Sequence, residues 1–305
     1  MSRAFRQPLL LALAAFAAGC LLLAAPLRAD TYYVTVAGLG GEPDYVQRYT
    51  AAASALDQIF RQAGAAAHVT TLTGAAATRA RLTQALQQVA AAAQPGDDFV
   101  LVLIGHGTYD GVEYKFNLPG PDLTAAELAA LCDRIPARRQ LIVDASECSG
   151  GALAALQKSG RRAVIVATKS GTEKNATVFA RYFVMALQDP AADLDKNQAV
   201  SGLEAFQYAQ RKVAEFYSSQ KRLATEHAMD AEPALLASIT LTRFGAAQRA
   251  YANPAKRALL AQKEELERKI DALNYQKDAL SDDDYRNQMT ALLLELAKLQ
   301  QEIDK

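Results

Sequence analysis

The chain has 305 residues, half of them hydrophobic, so it is long enough to bury a sizeable core. Basic and acidic residues balance at 33 each, and without the first 29 residues the balance is 30 to 33, a net charge of −3. The chain has no surplus of basic residues, so its charge gives no indication of a nucleic-acid partner.

Residues 1–29 have the pattern of a secretory signal peptide. A cationic start precedes an apolar run from Leu9 to Ala25, and Ala29 is a small residue at the expected cleavage point. We therefore expect a periplasmic or secreted mature chain that begins near Asp30. The alternatives are an uncleaved membrane anchor, since the run approaches the length of a bilayer span, and a weak lipobox at Cys20.

Two cysteines remain after the predicted cleavage, Cys132 and Cys148. Two residues are too few for a disulfide framework, although one bridge between them stays open. Cys132 lies in a helical pattern, where a small buried thiol is the simpler interpretation.

Five β-rich apolar runs alternate with amphipathic or alanine-rich segments. The runs span 31–38, 68–73, 98–105, 139–145 and 161–168, and helices are predicted at 44–64, 78–93, 124–134, 150–158, 176–188 and 201–219. The continuously apolar strands suit a sheet that is covered on both faces. Residues 30–243 are therefore predicted to form a three-layer α/β sandwich around a mostly parallel sheet, with functional residues at its carboxyl edge.

The third and fourth predicted strands end in short polar motifs. The third ends in IGHGTYDG, where glycines on both sides of His106 permit close approach of a substrate and expose the amide of Gly107. This is what a general base beside an oxyanion donor requires. The fourth ends in LIVDASECSGGAL, which would present small side chains over the sheet edge.

The two motifs together resemble the clan CD cysteine peptidases, the family of legumains, caspases and metacaspases, over roughly residues 31–230. In that family one apolar strand ends in His-Gly, and the next ends in an acidic residue, Ala, the nucleophilic Cys and then Ser-Gly. The matching residues here are His106, Gly107, Asp144, Ala145, Ser149 and Gly150. The resemblance implies a caspase-like sheet, a His–Cys dyad and protein or peptide substrates.

The match departs from the family at the nucleophile. Counted from the start of the second motif, the nucleophile position holds Ser146, and the thiol comes two residues later at Cys148. If this segment stays extended, the side chains of Ser146 and Cys148 point to the same side, and Cys148 can approach His106. If a helix begins at Glu147, Cys148 turns away and Ser146 faces the histidine, where a hydroxyl is the poorer nucleophile.

The segment DLDKNQAVSGLE has the ligand spacing of a calcium-binding EF-hand loop. The predicted Ca²⁺ ligands are Asp193, Asp195, Asn197, the carbonyl of Ala199, Ser201 and Glu204. Position 6, which normally carries Gly, holds Gln198, so a strained backbone is expected there. The alternative is a solvated acidic turn in which Ser201 caps the next helix.

The last 50 residues change to charged heptads. Residues 244–255 show no clear period and are predicted to be a linker. From 256 onward leucines recur seven apart, and a second helix is predicted after Ser281. We expect residues 256–305 to form a coiled-coil hairpin folded on itself or on the α/β domain. The alternative is an intermolecular coil that mediates self-association or partner binding.

Two functions follow from these patterns. The first is an exported peptidase with His106 as the base and Cys148 or Ser146 as the nucleophile, weakened because the thiol is displaced from its family position. The second is a non-catalytic pseudopeptidase that holds a peptide in its cleft and recruits a partner through its tail.

Overall fold

The computed structural model describes residues 29–157, 159–277 and 280–304, so the predicted signal peptide lies outside the described residues except for Ala29. The strands are β1 (Thr31–Ala37), β2 (Ala67–Leu72), β3 (Asp98–Ile104), β4 (Gly107–Tyr109), β5 (Tyr114–Phe116), β6 (Leu123–Thr124), β7 (Arg139–Asp144), β8 (Arg162–Val166), β9 (Ala199–Ser201), β10 (Met229–Ala231) and β11 (Thr240–Arg243). The helices are α1 (Pro43–Arg61), α2 (Arg79–Ala92), α3 (Ala125–Asp133), α4 (Leu153–Leu156), α5 (Phe179–Ala186), α6 (Gly202–Ser219), α7 (Pro233–Ser238), α8 (Gly245–Ala252), α9 (Pro254–Tyr275) and α10 (Asp282–Asp304). Within these described segments, no helix has the length and apolarity of a membrane span.

The central sheet has the strand order β10-β8-β7-β3-β1-β2. Its neighbouring strands are parallel except for β10, which pairs antiparallel with β8 at one edge. The five predicted apolar runs become β1, β2, β3, β7 and β8. The prediction of a mixed α/β fold around a mostly parallel sheet is therefore confirmed.

Side chains alternate between two apolar cores on opposite faces of this sheet. In β3, Val100 and Val102 belong to the core that contains buried residues of α1, α5 and α6, which we call the first face. Leu101 and Leu103 belong to the core that contains residues of α2 and α3, the second face. Every residue of β3 is buried. The period of two thus decides which residues at the strand tips can meet.

Two small antiparallel sheets were not predicted. One has the order β4-β5-β6 and follows directly after the third strand of the chain, and the other pairs β9 with β11. Each of these strands has only two to four residues, too few for a periodic pattern to stand out. The first small sheet lies beside the carboxyl edge of the central sheet, since β4 begins at Gly107, one residue after His106.

The segment 244–255, predicted as a linker, contains the helix α8. Its Tyr251 ring lies under the guanidinium of Arg243, with 3.8 Å between Cζ and the ring centroid. The Asn253 side chain then accepts a hydrogen bond from Ala255 N, and Pro254 occupies the first turn of α9. One capping residue therefore separates two helices, and the segment is folded against the domain.

Two helices follow, as predicted, and they run antiparallel. Lys256 Nζ donates to Ile303 O at 2.6 Å, near one end of the pair, and Tyr285 OH donates to Asn274 Oδ1 at 2.8 Å, near the other. The buried residues of their shared core are Leu260, Leu266, Leu299 and Ile303. The two helices therefore bury Leu266 and its apolar neighbours against each other within one chain.

Candidate active site

His106 lies on the first face, beyond the end of β3. The rings of Tyr45 and Tyr49 from α1 stand edge-on to its imidazole, with centroids 4.8 and 5.4 Å away. Nδ1 lies 2.5 Å from Glu147 Oε1, and Nε2 lies 3.1 Å from Gly40 O. The carbonyl oxygen of Gly40 can only accept, so Nε2 is the donor in that contact, and the Glu147 carboxyl group occupies Nδ1. In this arrangement both ring nitrogens are occupied by groups of the protein, and neither is open to a nucleophile.

The register between β3 and β7 explains why Glu147 reaches this histidine. The two strands pair from Asp98 with Arg139 to Leu103 with Asp144, a constant difference of 41 in residue number. His106 and Glu147 continue that difference beyond the strands. They also share a face, because residues 143 and 145 lie in the core of the first face and 147 continues the alternation.

Ser146 lies on the second face and is fully buried. Its hydroxyl donates to Asp144 Oδ1 at 2.7 Å and lies 2.7 Å from the hydroxyl of Tyr114. Burial raises the pKa of Asp144 to about 6, although hydrogen bonds from Ser146 and Tyr114 act in the opposite direction. Burial also raises the pKa of Tyr114 well above its usual value. This closed network holds the serine away from His106.

Cys148 also belongs to the second face, where it is 2% exposed. Its backbone adopts a left-handed conformation, with φ of 59°, and its N–H donates to Glu173 O at 2.8 Å. Burial, followed by the negative charge of Glu147, raises the pKa of the thiol. Within the described part of the chain, no hydrogen bond joins Cys148 or Ser146 to His106.

The disulfide between Cys132 and Cys148 that the sequence left open does not form. Cys132 and Cys148 are both free and both buried. Burial raises the pKa of Cys132 to about 12, so neither thiol is set up as a nucleophile.

The glycines and the serine of the two motifs have packing roles. A Cβ added to Gly107 would lie 2.5 Å from Glu147 O, and one added to Gly150 would collide with the backbone of residues 168–170 at 2.3 to 2.5 Å. The hydroxyl of Ser149 accepts a hydrogen bond from Ala167 N at 3.0 Å. The close approach that we expected between Gly107 and a substrate is made instead by the protein's own loop.

The His106–Glu147 pair lies beside an open apolar surface. The two side chains are 25% and 11% exposed, and Leu39 and Val46 nearby are 46% and 44% exposed. Val46 packs so closely on Gly40, the acceptor for His106, that a Cβ on this glycine would lie 2.6 Å from the valine backbone. A shallow depression of about 700 Å³ continues along the start of α1. Sequence reasoning missed this surface, along with the role of Glu147.

Three of the predicted calcium ligands converge. Carboxylate oxygens of Asp193, Asp195 and Glu204 lie within 4.8 Å of one another. Burial raises the pKa of Asp195 to about 6, and the other two carboxylates add to this effect. Gln198 has the positive φ, 67°, that the sequence predicted for position 6 of the loop.

The other three predicted ligands are engaged elsewhere. Asn197 Oδ1 accepts from the N–H of Ala199 at 2.8 Å, and Ala199 itself begins β9. Ser201 donates from its hydroxyl to Glu204 Oε2 at 2.8 Å, within a capping box that starts α6. The segment therefore combines the predicted acidic turn and helix cap with a compact group of three carboxylates.

No protein-family model matches this chain, and no curated protein does. Among solved structures, one similar chain is the protein GSU0716 from Geobacter sulfurreducens, with a TM-score of 0.46 and 16% sequence identity. The similarity covers 71% of this chain and 99% of that one. A likeness of this degree assigns neither a family nor an activity.

Proposed function

We propose that this protein is a pseudopeptidase, with strand-tip motifs that resemble those of clan CD peptidases, which binds a peptide segment without cleaving it. The observation that carries the proposal is the carboxylate of Glu147 on Nδ1 of His106, at 2.5 Å. Thiol catalysis needs a sulfur within hydrogen-bond reach of the imidazole, and here an acid takes that place. A carboxyl group paired with an imidazole is a binding group for polar ligand atoms.

The surroundings of the pair suit an extended peptide. In the described part of the chain, Glu147 Oε2 is buried and has no hydrogen-bond partner, and a peptide backbone brings N–H donors that can supply one. Leu39 and Val46 offer exposed apolar contact for a side chain next to it. The combination of a few placed polar groups and an apolar depression is typical of ligand sites.

The test is to incubate the full chain, with reductant, with a peptide library that carries Asn, Asp, Arg or Lys at the central position. We expect no cleavage, and binding that weakens about tenfold or more in Glu147→Gln and His106→Ala, which remove charged hydrogen-bond partners. Val46→Asp should weaken binding as well. Val112→Asp is the matched control, since Val112 is 91% exposed in the β4–β5 turn beside the second face. Cleavage that His106→Ala and Cys148→Ala abolish would overturn the proposal.

Three further features belong to this proposal. We propose that the first 29 residues direct export, that the central sheet is caspase-like, and that α9 and α10 form a coiled coil which recruits a partner. Exposed Leu293 and Leu294 on α10 offer an apolar contact for such a partner. N-terminal sequencing that finds Met1 on a cytoplasmic protein would contradict export.

We also propose that Ca²⁺ binds to Asp193, Asp195 and Glu204. The supporting observation is the convergence of three carboxylates in a partly buried loop. Carboxylate oxygens are the ligands that Ca²⁺ prefers, and a divalent ion relieves the mutual repulsion of these acids.

A further inference from the structure

A second large cleft lies at the opposite edge of the central sheet, at the amino ends of its strands. Its volume is about 1080 Å³, and Thr31, Asp98 and Arg139 at the starts of β1, β3 and β7 form one wall. Leu266 of α9 and Leu299 of α10 belong to the opposite wall. The volume is at the upper end of the range for small-molecule sites, so the cleft can hold a whole molecule and not only an ion.

The charged side chains of this cleft fall into two groups. Three arginines are paired with acids inside the cleft: Arg139 with Asp98, Arg243 with Glu264, and Arg268 with Glu265. Beyond these pairs, the lining cations are Arg138, Arg257, Lys269 and Lys298, and the remaining acids are Glu295 and Glu302. The unpaired lining charges therefore have a positive surplus of two.

Arg257 is the deepest of these cations. It is 9% exposed, its Nε donates to Tyr251 O at 3.1 Å, and its Cζ lies 5.2 Å from the centroid of the tyrosine ring. Its Nη2 is buried and has no hydrogen-bond partner among the residues that the structure describes. A buried guanidinium nitrogen without an acceptor is costly, because the group keeps its charge at all ordinary pH values and cannot neutralise itself. An anionic oxygen in the cleft would remove this deficit.

Arg138 adds a second free guanidinium at the rim. It is exposed, and within the described residues its guanidinium makes no hydrogen bond or ion pair, although its backbone N–H donates to Asp97 O at 2.7 Å. Partial burial of the guanidinium, followed by the positive charge of Arg139, lowers its pKa, and Arg268 adds to this effect, whereas the charges of Asp98 and Glu265 act in the opposite direction. Several cations therefore lie within electrostatic reach of one another, and a negative ligand would relieve their repulsion.

We propose that this cleft binds a small molecule with two or more anionic groups, phosphate or carboxylate, held by Arg257 inside and Arg138 at the rim. The planar guanidinium matches both groups through paired N–H donors. The tail helices supply one wall, so the ligand would also fasten the hairpin to the base of the sheet. This site is independent of the peptide surface at the carboxyl edge.

The test measures thermal melting and calorimetric binding of the full chain with pyrophosphate or citrate, against KCl of equal ionic strength. Divalent cations are first removed on a chelating resin, because both probes also bind Ca²⁺. We expect at least one probe to raise the melting temperature by about 5 °C at saturating millimolar concentration. The probe that binds more tightly distinguishes a phosphate ligand from a carboxylate ligand.

Variants assign the effect to the cleft. Arg138→Ala, at an exposed position that should not disturb folding, is expected to weaken binding about tenfold or more, and Arg257→Gln at least as much. Glu302→Gln should strengthen binding, because it removes an acid from the lining. Arg81→Ala is the matched control, an exposed arginine on α2 outside the cleft. The proposal is overturned if neither probe exceeds KCl, or if Arg138→Ala binds as the Arg81→Ala control does.

Discussion

The two edges of the central sheet are left with opposite hydrogen-bond deficits. At the carboxyl edge, Asp144 Oδ2 and Glu147 Oε2 are buried acceptors without donors. At the amino edge, Arg257 Nη2 is a buried donor without an acceptor. A carboxylate can relieve its deficit by taking up a proton, whereas a guanidinium stays charged and needs an acceptor from outside.

The two edges can therefore respond to different kinds of ligand. Most polar groups of the carboxyl edge already have hydrogen-bond partners within the protein, since the imidazole of His106 bonds to Glu147 and the Ser146 hydroxyl bonds to Asp144. The unpartnered oxygen of Asp144 can respond to pH, and that of Glu147 can accept an N–H group of a peptide. The amino edge keeps uncompensated positive charge, and its deficit responds to anions.

The largest effect is expected from placing a thiol beside His106. In a Cys148→Ser background, Glu147→Cys should be alkylated by iodoacetamide at pH 6 roughly a hundredfold faster than Cys148 is in the parent. The thiolate is the reactive species, and a neighbouring imidazolium lowers the pKa of a thiol by several units. Addition of His106→Ala should remove the acceleration.

The matched control moves the same thiol by one residue. Ser146→Cys in the Cys148→Ser background places it on the second face, among Asp144 and Tyr114, where it should stay unreactive. Rapid alkylation of Cys148 in the parent, slowed by His106→Ala, would mean that the thiol does reach the histidine. The carboxyl edge would then be a thiol site and not a closed set of hydrogen-bonded groups.

The sequence predicted most of the sheet because its strands are strongly apolar. Apolar runs such as FVLVLI and LIV strongly predict strands, and glycine marks the turns that follow them. The prediction also brought the correct strand tips together, because parallel strands place their carboxyl ends at one edge. His106 was therefore correctly assigned to the tip region.

The partner of His106 was not predicted because it depends on register. A strand that is apolar on both faces carries no alternation to show which residues face which side. The constant difference of 41 residues between β3 and β7 decides that Glu147 faces His106. A shift of one residue would have placed Ser146 or Cys148 there instead. The Arg257 cleft was also beyond prediction, since it requires the packing of the tail on the sheet.

The next effect in size is a pH dependence at the carboxyl edge. The pKa of Asp144 is about 6 in the folded protein, against an ordinary value of 3.8. Between these values the folded state holds more protons than the unfolded state, so the free energy of unfolding falls as pH rises. The contribution is present below pH 4 and is lost as pH rises through 6, by about 3 kcal/mol in total.

Asp144→Asn isolates this contribution. Asparagine keeps an acceptor oxygen for the Ser146 hydroxyl and carries no charge, so the variant should show a flatter dependence between pH 4 and pH 7 in urea unfolding. Glu215→Gln, on the exposed side of α6, is the control and should keep the slope of the parent. Equal slopes in the parent and in Asp144→Asn would show that the carboxyl edge tolerates its buried charge without cost.

The smallest effect concerns the acidic loop, which lies outside both edges and carries a like-charge surplus of its own. Millimolar Ca²⁺ should raise the melting temperature by a few degrees, because an ion bound only by the folded state stabilises it by mass action. Asp195→Asn should abolish the response and also raise stability in the absence of calcium at pH 7, since the variant removes a charge that lies beside two other carboxylates and whose pKa is raised. It leaves the capping box of Ser201 and Glu204 intact.

The control is Glu215→Gln, which should respond to Ca²⁺ as the parent does. If Asp195→Asn also responds as the parent does, or if the parent shows no shift, the loop is only a helix-capping turn, and anion binding by the arginine cleft is the one ion-dependent effect to expect.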